Sequence, residues 1–237
     1  MNNLQGLIAR SIDNSNVQFE CLSYITTNVA NYNTVGYKNQ RFDNYLMNAG
    51  RIEGTVRTDY SNGLLYATRR PLDVAVDGAG FIPVTKKDGS IAYTRDGSFK
   101  VNADGYLTTQ DDYIVGDGIK IPYVYHKLKI KPDGEVTVIK EKGDLEETLG
   151  KISLVVFNNP EGLKSIEGNK VVTTDKSGPA LLLSEHKNIK QGNLERSNTD
   201  LFVSVNDVMR LNASIISSTR LVKIVDELYR QSINLKQ

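Results

Sequence analysis

The sequence predicts a mainly β central domain, rich in β-hairpins, flanked by N- and C-terminal long α-helices that pair as a coiled coil. Two observations lead to this prediction. Both ends of the chain are long stretches without proline in which apolar residues recur at helical spacing. The middle repeats the dipeptide Asp-Gly six times between short runs of strand-forming residues, the pattern of successive hairpins.

The first predicted helix covers residues 4 to about 31, which contain no proline and, after Gly6, no glycine. Apolar or small residues recur there at alternating spacings of four and three, which is the heptad spacing of a coiled-coil seam. The predicted seam consists of Ile8, Ile12, Ser15, Phe19, Leu22, Thr26 and Val29.

The last predicted helix begins at Leu201 and is likewise free of glycine and proline. Its predicted seam consists of Val208, Leu211, Ile215, Ser218, Val222, Val225 and Tyr229. A second apolar row lies beside this seam and consists of Leu221, Ile224, Leu228 and Leu235. The apolar arc is therefore wider than one partner helix can cover. We expect neighbouring copies of the chain to contact the second row, and the alternative is that the central domain covers it.

The central region contains two sequence patterns typical of hairpins, because Asp-Gly favours the tight turns that join antiparallel strands. One predicted hairpin covers residues 91–101 and turns at Asp96-Gly97. The other covers residues 126–139 and turns at Asp133-Gly134.

Residues 32–71 have no long periodic stretch and are predicted to be an extended connector. The predicted organisation is therefore a terminal helical domain (1–31 with 198–237), the connector (32–71) and a β-rich outer domain (72–197).

Composition and charge exclude several classes of protein. The formal net charge of +1 is too small for electrostatic recruitment of nucleic acid. No window approaches the 18 apolar residues of a membrane span, and the N-terminal segment lacks the pattern of a cleavable secretory signal. We therefore expect no nucleic-acid partner and no direct membrane insertion. The single cysteine, Cys21, can form neither an internal disulfide nor a multi-cysteine metal site.

Candidate catalytic, cofactor and metal sites do not meet the requirements of their chemistry. Asn102–Gly105 resembles the middle of a calcium loop, but the flanking ligand positions are wrong, so it is interpreted as a turn. The Gly-x-Gly at Gly78–Gly80 precedes a strand and not a helix, so it offers no phosphate site. His126 and His186 lie far from any nucleophile or metal motif. The sequence predicts no catalytic residue, no cofactor and no metal.

Four segments carry a resemblance to a known family. Residues 28–38 (NVANYNTVGYK) are similar to the Ala-Asn-x-x-Thr-x-Gly-Tyr/Phe-Lys signature of the flagellar axial proteins that build rod and hook. Residues 71–81, then 93–99 with 105–107, and finally 191–200 resemble the rod subgroup. The four motifs occur in the family's order and span nearly the whole chain. The sequence is therefore identified as similar to flagellar basal-body rod proteins of the FlgF/FlgG kind.

This resemblance implies a structural subunit of the bacterial flagellar basal body, in the periplasmic part of the rod, exported by the flagellar type III apparatus without a cleaved signal peptide. The implied partners are copies of the chain itself and other rod and hook axial proteins. The short segment between Lys38 and Pro71 favours a proximal rod subunit. A distal subunit, a non-polymerising capping module and, more remotely, a cell-wall hydrolase are the alternatives.

The same motifs supply the candidate assembly residues. At the end of the first helix, Gly36 is expected to take the positive φ of a helix stop, while polar side chains bond the free backbone groups. This set comprises Asn28, Ala30, Asn31, Thr34, Gly36, Tyr37 and Lys38. The entry to the last helix is expected to be a turn and N-cap with a favourable acidic charge. That set comprises Gly192, Leu194, Glu195, Ser197, Asn198 and Asp200.

Overall fold

The structure, a computed structural model, describes residues 2–46, 52–184 and 187–234. It is mainly β, with a helix towards each end of the chain: α1 (Asn2–Ala30) and α2 (Leu201–Asn234). The chain divides into two compact units. The helical unit comprises Met1–Tyr32, Asn39–Asp59 and Thr199–Gln237, and the β unit comprises Asn33–Lys38 and Tyr60–Asn198.

The described strands are short, and all their pairings are antiparallel. They are β1 (Gln40–Leu46), β2 (Ile52–Thr58), β3 (Leu65–Ala67), β4 (Val74–Val76), β5 (Ile82–Thr85), β6 (Ile91–Thr94), β7 (Lys100–Val101), β8 (Leu107–Thr108), β9 (Ile114–Val115), β10 (Lys127–Ile130), β11 (Glu135–Ile139), β12 (Glu147–Lys151), β13 (Val155–Val156), β14 (Lys164–Ile166), β15 (Lys170–Val172), β16 (Leu181–Leu182), β17 (Ile189–Gln191) and β18 (Asn193–Glu195), with a 3-10 helix at Pro160–Gly162.

The helical unit contains a β-hairpin as well as the two helices. Strands β1 and β2 pair from Gln40 opposite Thr58 onwards, and the hairpin packs against α1 through stacked rings of Tyr24 and Phe42, 5.5 Å apart. This hairpin was not predicted, because residues 32–71 show no sustained alternation of apolar and polar residues. The boundaries of the three predicted segments stay a prediction.

The contact between α1 and α2 includes two polar pairs. Asn14 donates a hydrogen bond to Ser218 (3.2 Å), and Gln18 donates one to Ser214 (2.5 Å). The predicted seam on α1 is wrong, because its members Ile12, Phe19 and Val29 are exposed. The side chains that point inwards are those one position away, and polar residues dominate among them. Coiled-coil packing of the two helices stays a prediction.

The β unit is built from several small sheets around one core. The largest sheet has the strand order β14-β15-β6-β5-β9-β8-β7, and a second has the order β10-β11-β12. Three two-stranded pairings complete the unit: β13 with β16, β17 with β4, and β18 with β3. The last two pairings join the beginning of the β unit to its end, so the fold closes only when residues far apart in sequence meet.

The main core of the β unit is aliphatic, with one aromatic ring at its centre. Its fully buried side chains include Val74, Val76, Ile82, Val84, Phe99, Leu107, Val115, Ile152 and Leu154. A smaller cluster contains the rings of Phe81, Tyr93 and Phe157, whose centroids lie 5.0 to 5.5 Å apart in edge-to-face geometry. Burial of these side chains is the main source of stability for the unit.

One of the two predicted hairpins is confirmed and the other is wrong. Asp133-Gly134 joins the paired strands β10 and β11, as predicted. The hairpin predicted at Asp96-Gly97 is wrong, because β6 pairs with β5 and β15 whereas β7 pairs with β8. A type I′ turn needs positive φ at both central residues and a type II′ turn needs it at the first, and neither Asp96 nor Gly97 has it. A Cβ at Gly97 would also lie 1.7 Å from the carbonyl oxygen of Val74, so this glycine serves a close backbone approach.

Neither helix, over the residues that the structure describes, combines the length and the apolarity that a membrane crossing requires.

Candidate functional site

The first motif begins where α1 ends. The helix stops at Ala30, and the amide of Asn31 donates to the carbonyls of Thr27 (3.1 Å) and Asn28 (3.2 Å). The side chain of Asn31 donates to the same Thr27 carbonyl at 2.9 Å. Asn31 therefore closes the helix, which ends six residues before the glycine that the sequence analysis placed at the stop.

Asn28 joins the helix to the hairpin of the same unit. Its buried side-chain amide donates to the carbonyl of Gln40 (2.8 Å) and accepts from the backbone amide of Gln40 (2.9 Å). A carboxamide is the side chain that can satisfy both groups of one peptide at once. Asn28 thus positions the start of β1 against α1 and does not act as a cap.

Gly36 lies in the β unit with the predicted positive φ, here +65°. Its amide donates to the carbonyl of Glu195 at 2.8 Å. A Cβ at this position would lie 2.6 Å from the carbonyl carbon of Arg95 and 2.7 Å from its oxygen. Gly36 is therefore required by close contact between two backbones, which is a stronger constraint than the end of a helix.

Lys38, Glu195 and Arg95 form a buried ion-pair cluster in the β unit. Lys38 Nζ lies 2.6 Å from Glu195 Oε1, and the nearest guanidinium nitrogen of Arg95 lies 3.4 Å from Glu195 Oε2. The three side chains are 6%, 0% and 3% exposed in the order Lys38, Glu195, Arg95. The backbone amide of Gly63 also donates to Glu195 Oε1, at 2.8 Å. A single carboxylate therefore binds two cations and one peptide group.

Further contacts offset the excess of positive charge in this cluster. Lys38 donates to the carbonyl of Ser61 (2.7 Å), and Arg95 donates to the carbonyl of Val76 (3.4 Å). The guanidinium of Arg95 also lies over the ring of Phe81, 5.2 Å from its centroid, which is a cation–π distance. Burial lowers the pKa of Arg95, and the charge of Glu195 opposes that shift. The cluster holds both cations in a nearly dry environment.

All four family-like segments meet at this cluster. Lys38 and Gly36 come from the first motif, Phe81 and Val76 from the second, Arg95 from the third and Glu195 from the fourth. The site is thus the point where separate parts of the sequence are fixed to one another. It offers no water-accessible acid, base or nucleophile, so its chemistry is structural.

Other residues of the predicted sets surround the cluster. The amide of Tyr37 donates to Thr34, and the carbonyl of Tyr37 accepts from Asn198. The side chain of Asn198 donates to Ser61. Gly192 has φ +69° and its amide donates to the carbonyl of Asp73 (2.7 Å). Leu194 and Ser197 are buried.

The N-cap of α2 is Asp200. Its Oδ1 atom accepts hydrogen bonds from the amides of Phe202 (2.8 Å) and Val203 (3.2 Å), the two positions that an N-cap side chain serves. Ser197 and Asn198, which the sequence analysis expected at the cap, come earlier in the chain and belong to the β unit.

The second apolar row of α2 is exposed in the single chain. Leu221, Ile224 and Leu228 are about half exposed, whereas Val225 of the predicted seam is only 7% exposed. Leu235 lies outside the described residues. Four further apolar side chains of α2, nearer its N-terminus, are also exposed: Phe202, Val203, Val205 and Met209.

No group of metal-ligating side chains is present among the residues that the structure describes. The calcium-like segment is a turn, as predicted: the side-chain oxygen of Asn102 accepts from the backbone amides of Asp104 and Tyr106. That oxygen is used to fix the turn.

Comparison with known proteins shows the family. The profile of the flagellar hook protein FlgE/F/G D1 domain matches residues 75–138. Flagellar basal-body rod protein FlgG of Agrobacterium fabrum is 31% identical over 87% of this chain and 90% of the relative. FlgG of Bacillus subtilis is 30% identical over 91% of this chain and 93% of the relative. The chain belongs to the flagellar basal-body rod protein family.

A relative named FlgF, the second kind of rod protein in the predicted resemblance, is also similar to this chain. FlgF of Buchnera aphidicola (Schizaphis graminum) is 28% identical over 77% of this chain and 75% of the relative. Membership confirms the resemblance proposed from the four motifs and indicates a structural role in the rod of the flagellar basal body, part of the machinery of motility.

The profile match in this rod protein includes Val76, Phe81 and Arg95 but neither Lys38 nor Glu195. Lys38 and Glu195 were both predicted as assembly residues but not as a pair, and Arg95 had no predicted role. Arg95 could have been noticed, because it follows the uncharged strand-forming run Ile91–Thr94 directly. A charge next to a buried strand needs a partner.

Proposed function

We propose that this chain is a rod subunit that polymerises through its terminal helices and transmits torque from motor to hook. The observation that supports it best is the exposed apolar surface of α2, on which Phe202, Met209 and Leu228 are 85%, 64% and 51% exposed. Contiguous exposed apolar surface on a helix marks a contact with another protein. Copies of the chain, together with other axial proteins of the flagellum, are the proposed partners.

The buried cluster supports the torque-bearing part of this proposal. Lys38 and Glu195 tie the segment that continues from α1 to the segment that leads into α2, and both ends of the pair are inaccessible to water. Opposite charges attract more strongly in such an environment than at a surface. A load applied through the terminal helices would therefore reach the β unit at a point where the backbone is fixed on both sides.

The position of the chain along the rod stays a prediction. The short segment between Lys38 and Pro71 favours the proximal rod, and the distal rod is the alternative. Export by the flagellar type III apparatus without cleavage, and a periplasmic position in the rod, are proposed with it. Mass spectrometry of the chain in isolated basal bodies would test export without cleavage, because an uncleaved chain keeps its N-terminal peptide.

A concentration series followed by light scattering tests polymerisation of the purified chain. We expect the mean mass to rise with concentration and to rise further when fragments of isolated rod are added as seeds. A chain that binds rod ends but stays monomeric at every concentration would favour the non-polymerising capping module. Zymography on cell-wall substrate tests the hydrolase alternative, for which we expect no cleared zone.

A further inference from the structure

The contact between α1 and α2 contains two amide–hydroxyl pairs arranged as a ladder. Asn14 and Gln18 lie four residues apart on α1, and their partners Ser218 and Ser214 lie four residues apart on α2. Position rises along α1 as it falls along α2, so the two helices run antiparallel. Residues on the same side of a helix recur at this spacing, so both pairs lie in one stripe of the contact.

The ladder runs from the interior of the helix contact to its edge, because Gln18 and Ser218 are buried, Asn14 is half-buried and Ser214 is exposed. Gln18 and Ser218 are 4% and 8% exposed, and the side-chain oxygen of Gln18 is buried without a hydrogen-bond partner. Ile25 and Val225, further along the contact, are also buried. On α2 the seam positions Leu211, Ile215 and Val222 are half-buried, whereas the second apolar row is exposed. The contact therefore combines apolar side chains with the polar ladder.

We propose that this amide–serine ladder, Asn14–Ser218 with Gln18–Ser214, sets the register of α1 against α2 and excludes apolar helix surfaces from this seam. Apolar rows can pack against one another in several registers, because an apolar side chain fits equally well between different sets of similar apolar side chains on the facing helix. Buried polar side chains remove that freedom, since a wrong register leaves them without partners. A slip of seven residues in one direction places Asn14 against Val225 and Gln18 against Leu221. A slip in the other direction places Asn14 against Leu211 and Gln18 against Asp207. Asn14 therefore loses its acceptor in both slips, because neither Val225 nor Leu211 has a side chain that can accept a hydrogen bond.

The ladder also distinguishes the two faces of each helix. An outward apolar row of a neighbouring chain brought against Asn14 and Gln18 would bury two amides without partners, which is unfavourable. The outward rows are free of that penalty. The importance of this selectivity for the rod rests on the proposed function, but the register itself is a property of the single chain.

The native cysteine provides a test on the full-length monomer. The pairings 14 with 218 and 18 with 214, continued along the two helices, place Cys21 opposite Leu211, and both side chains are half-buried. Leu211→Cys reports the register shown by the structure, whereas Ser204→Cys reports a slip of seven residues, about 10 Å along the helix. Burial, with a smaller contribution from Asp207, raises the pKa of the Cys21 thiol, so oxidation is carried out at mildly alkaline pH.

With the ladder intact, we expect Leu211→Cys to form at least about tenfold more intrachain disulfide than Ser204→Cys, because the latter separation exceeds disulfide geometry. Combining Asn14→Leu with Gln18→Leu should reduce this preference to within about twofold, because the apolar contact then fits more than one register. Ser214→Ala with Ser218→Ala removes the acceptors and should have the same effect. If the leucine variant loses helical circular dichroism, the double alanine variant is the one that tests whether the ladder sets the register.

Ser217→Ala with Thr219→Ala is the matched control. These hydroxyls bond only to carbonyls of their own helix in the described contacts, so the tenfold preference should remain. Preference for Leu211→Cys that persists in the helical ladder variants would overturn the proposal. Because the disulfide assay uses dilute monomer, its result is independent of polymerisation. The register proposal can therefore be refuted while the proposed polymerisation is supported, or supported while polymerisation is refuted.

Discussion

Lys38 and Glu195 are 157 residues apart in the chain and form a 2.6 Å ion pair from which water is almost excluded. Arg95 completes the group on the opposite oxygen of the same carboxylate. Because one buried carboxylate balances two buried cations, removing it leaves both without their counter-charge. The stability of the β unit should therefore depend on Glu195 far more than on any exposed carboxylate.

Glu195→Gln should destabilise the protein by about 3–5 kcal/mol, the usual cost of breaking a buried pair on one side. Urea denaturation followed by the fluorescence of the tyrosines measures this. Glu146→Gln is the control, because Glu146 pairs with Lys129 at 3.3 Å on the surface, and such pairs contribute about 1 kcal/mol at most. Equal losses in the two variants would contradict the assigned role of the cluster.

Gly36→Ala should be more destabilising than Gly89→Ala. Both glycines have positive φ, +65° and +87°, so both variants incur the backbone penalty of about 1–2 kcal/mol. Only at Gly36 would the new Cβ lie 2.6 Å from the backbone of Arg95, whereas nothing lies within 4 Å of a Cβ at Gly89. The clash should add about 1–3 kcal/mol.

The difference between the two alanine variants, measured by urea denaturation, isolates the effect of close contact. If Gly36→Ala and Gly89→Ala lose the same stability, the contact with Arg95 yields easily and Gly36 is needed for its φ alone. Gly36→Val should be still more destabilising than Gly36→Ala, since a β-branched side chain at positive φ has no relaxed conformer.

The carboxyls of Asp96 and Asp88 should titrate on opposite sides of their ordinary pKa. Each accepts one hydrogen bond from the amide (2.8 Å) and one from the hydroxyl (2.6 Å) of the serine two residues later. Burial raises the pKa of Asp96 despite these bonds. At the exposed Asp88 the bonds from Ser90 lower the pKa. Carbon-13 chemical shifts of the two carboxyls against pH would measure both values.

The raised pKa of Asp96 has a defined effect on stability. The folded state retains this proton more strongly than the unfolded chain, so the contribution is most favourable below the ordinary pKa and declines as pH rises to the folded value. Asp96→Asn should abolish that decline while keeping an acceptor for Ser98. A wild-type stability curve that runs parallel to that of Asp96→Asn through the acidic range would refute the assignment.

The sequence predicted the elements that local chemistry determines. The start of α2 at Leu201 follows from a long segment without glycine or proline, and the turn at Asp133-Gly134 follows from its dipeptide. The seam of α1 was mispredicted because two of the three buried positions described there, Gln18 and Asn28, are polar, so hydrophobic periodicity identified the neighbouring row. Periodicity shows which residues are apolar, and in a subunit with partners these need not be the residues that its own fold buries.

The sequence identified some members of the candidate site, but neither Arg95 nor the geometry of the site. Family-like motifs identified Gly36, Lys38 and Glu195, but one sequence contains no information on which distant residues meet. The role of Gly36 was mistaken for the same reason, because its constraint comes from the backbone of Arg95 and not from its own neighbours.

Leu228→Asp should abolish incorporation into the rod without destabilising the isolated chain. Leu228 is 51% exposed in the single chain, so an aspartate there remains hydrated and should change stability by no more than about 0.5 kcal/mol. In a contact with a neighbouring chain, the same carboxylate would be buried in an apolar environment at a cost of several kcal/mol. Thermal melts of the purified variant and the composition of basal bodies from cells expressing it are the two measurements.

Two matched variants distinguish assembly from folding in this experiment. Val225→Asp introduces the same carboxylate three residues earlier, where the side chain is 7% exposed, so it should destabilise the helical unit in the monomer itself. Leu145→Asp alters a leucine that is 93% exposed in the β unit and should leave both melting and incorporation unchanged. Normal incorporation of Leu228→Asp would show that the second row of α2 lies outside the contacts between subunits. A large fall in its monomer melting temperature would instead show that the row is buried within the chain, and the assembly surface would have to be sought on α1.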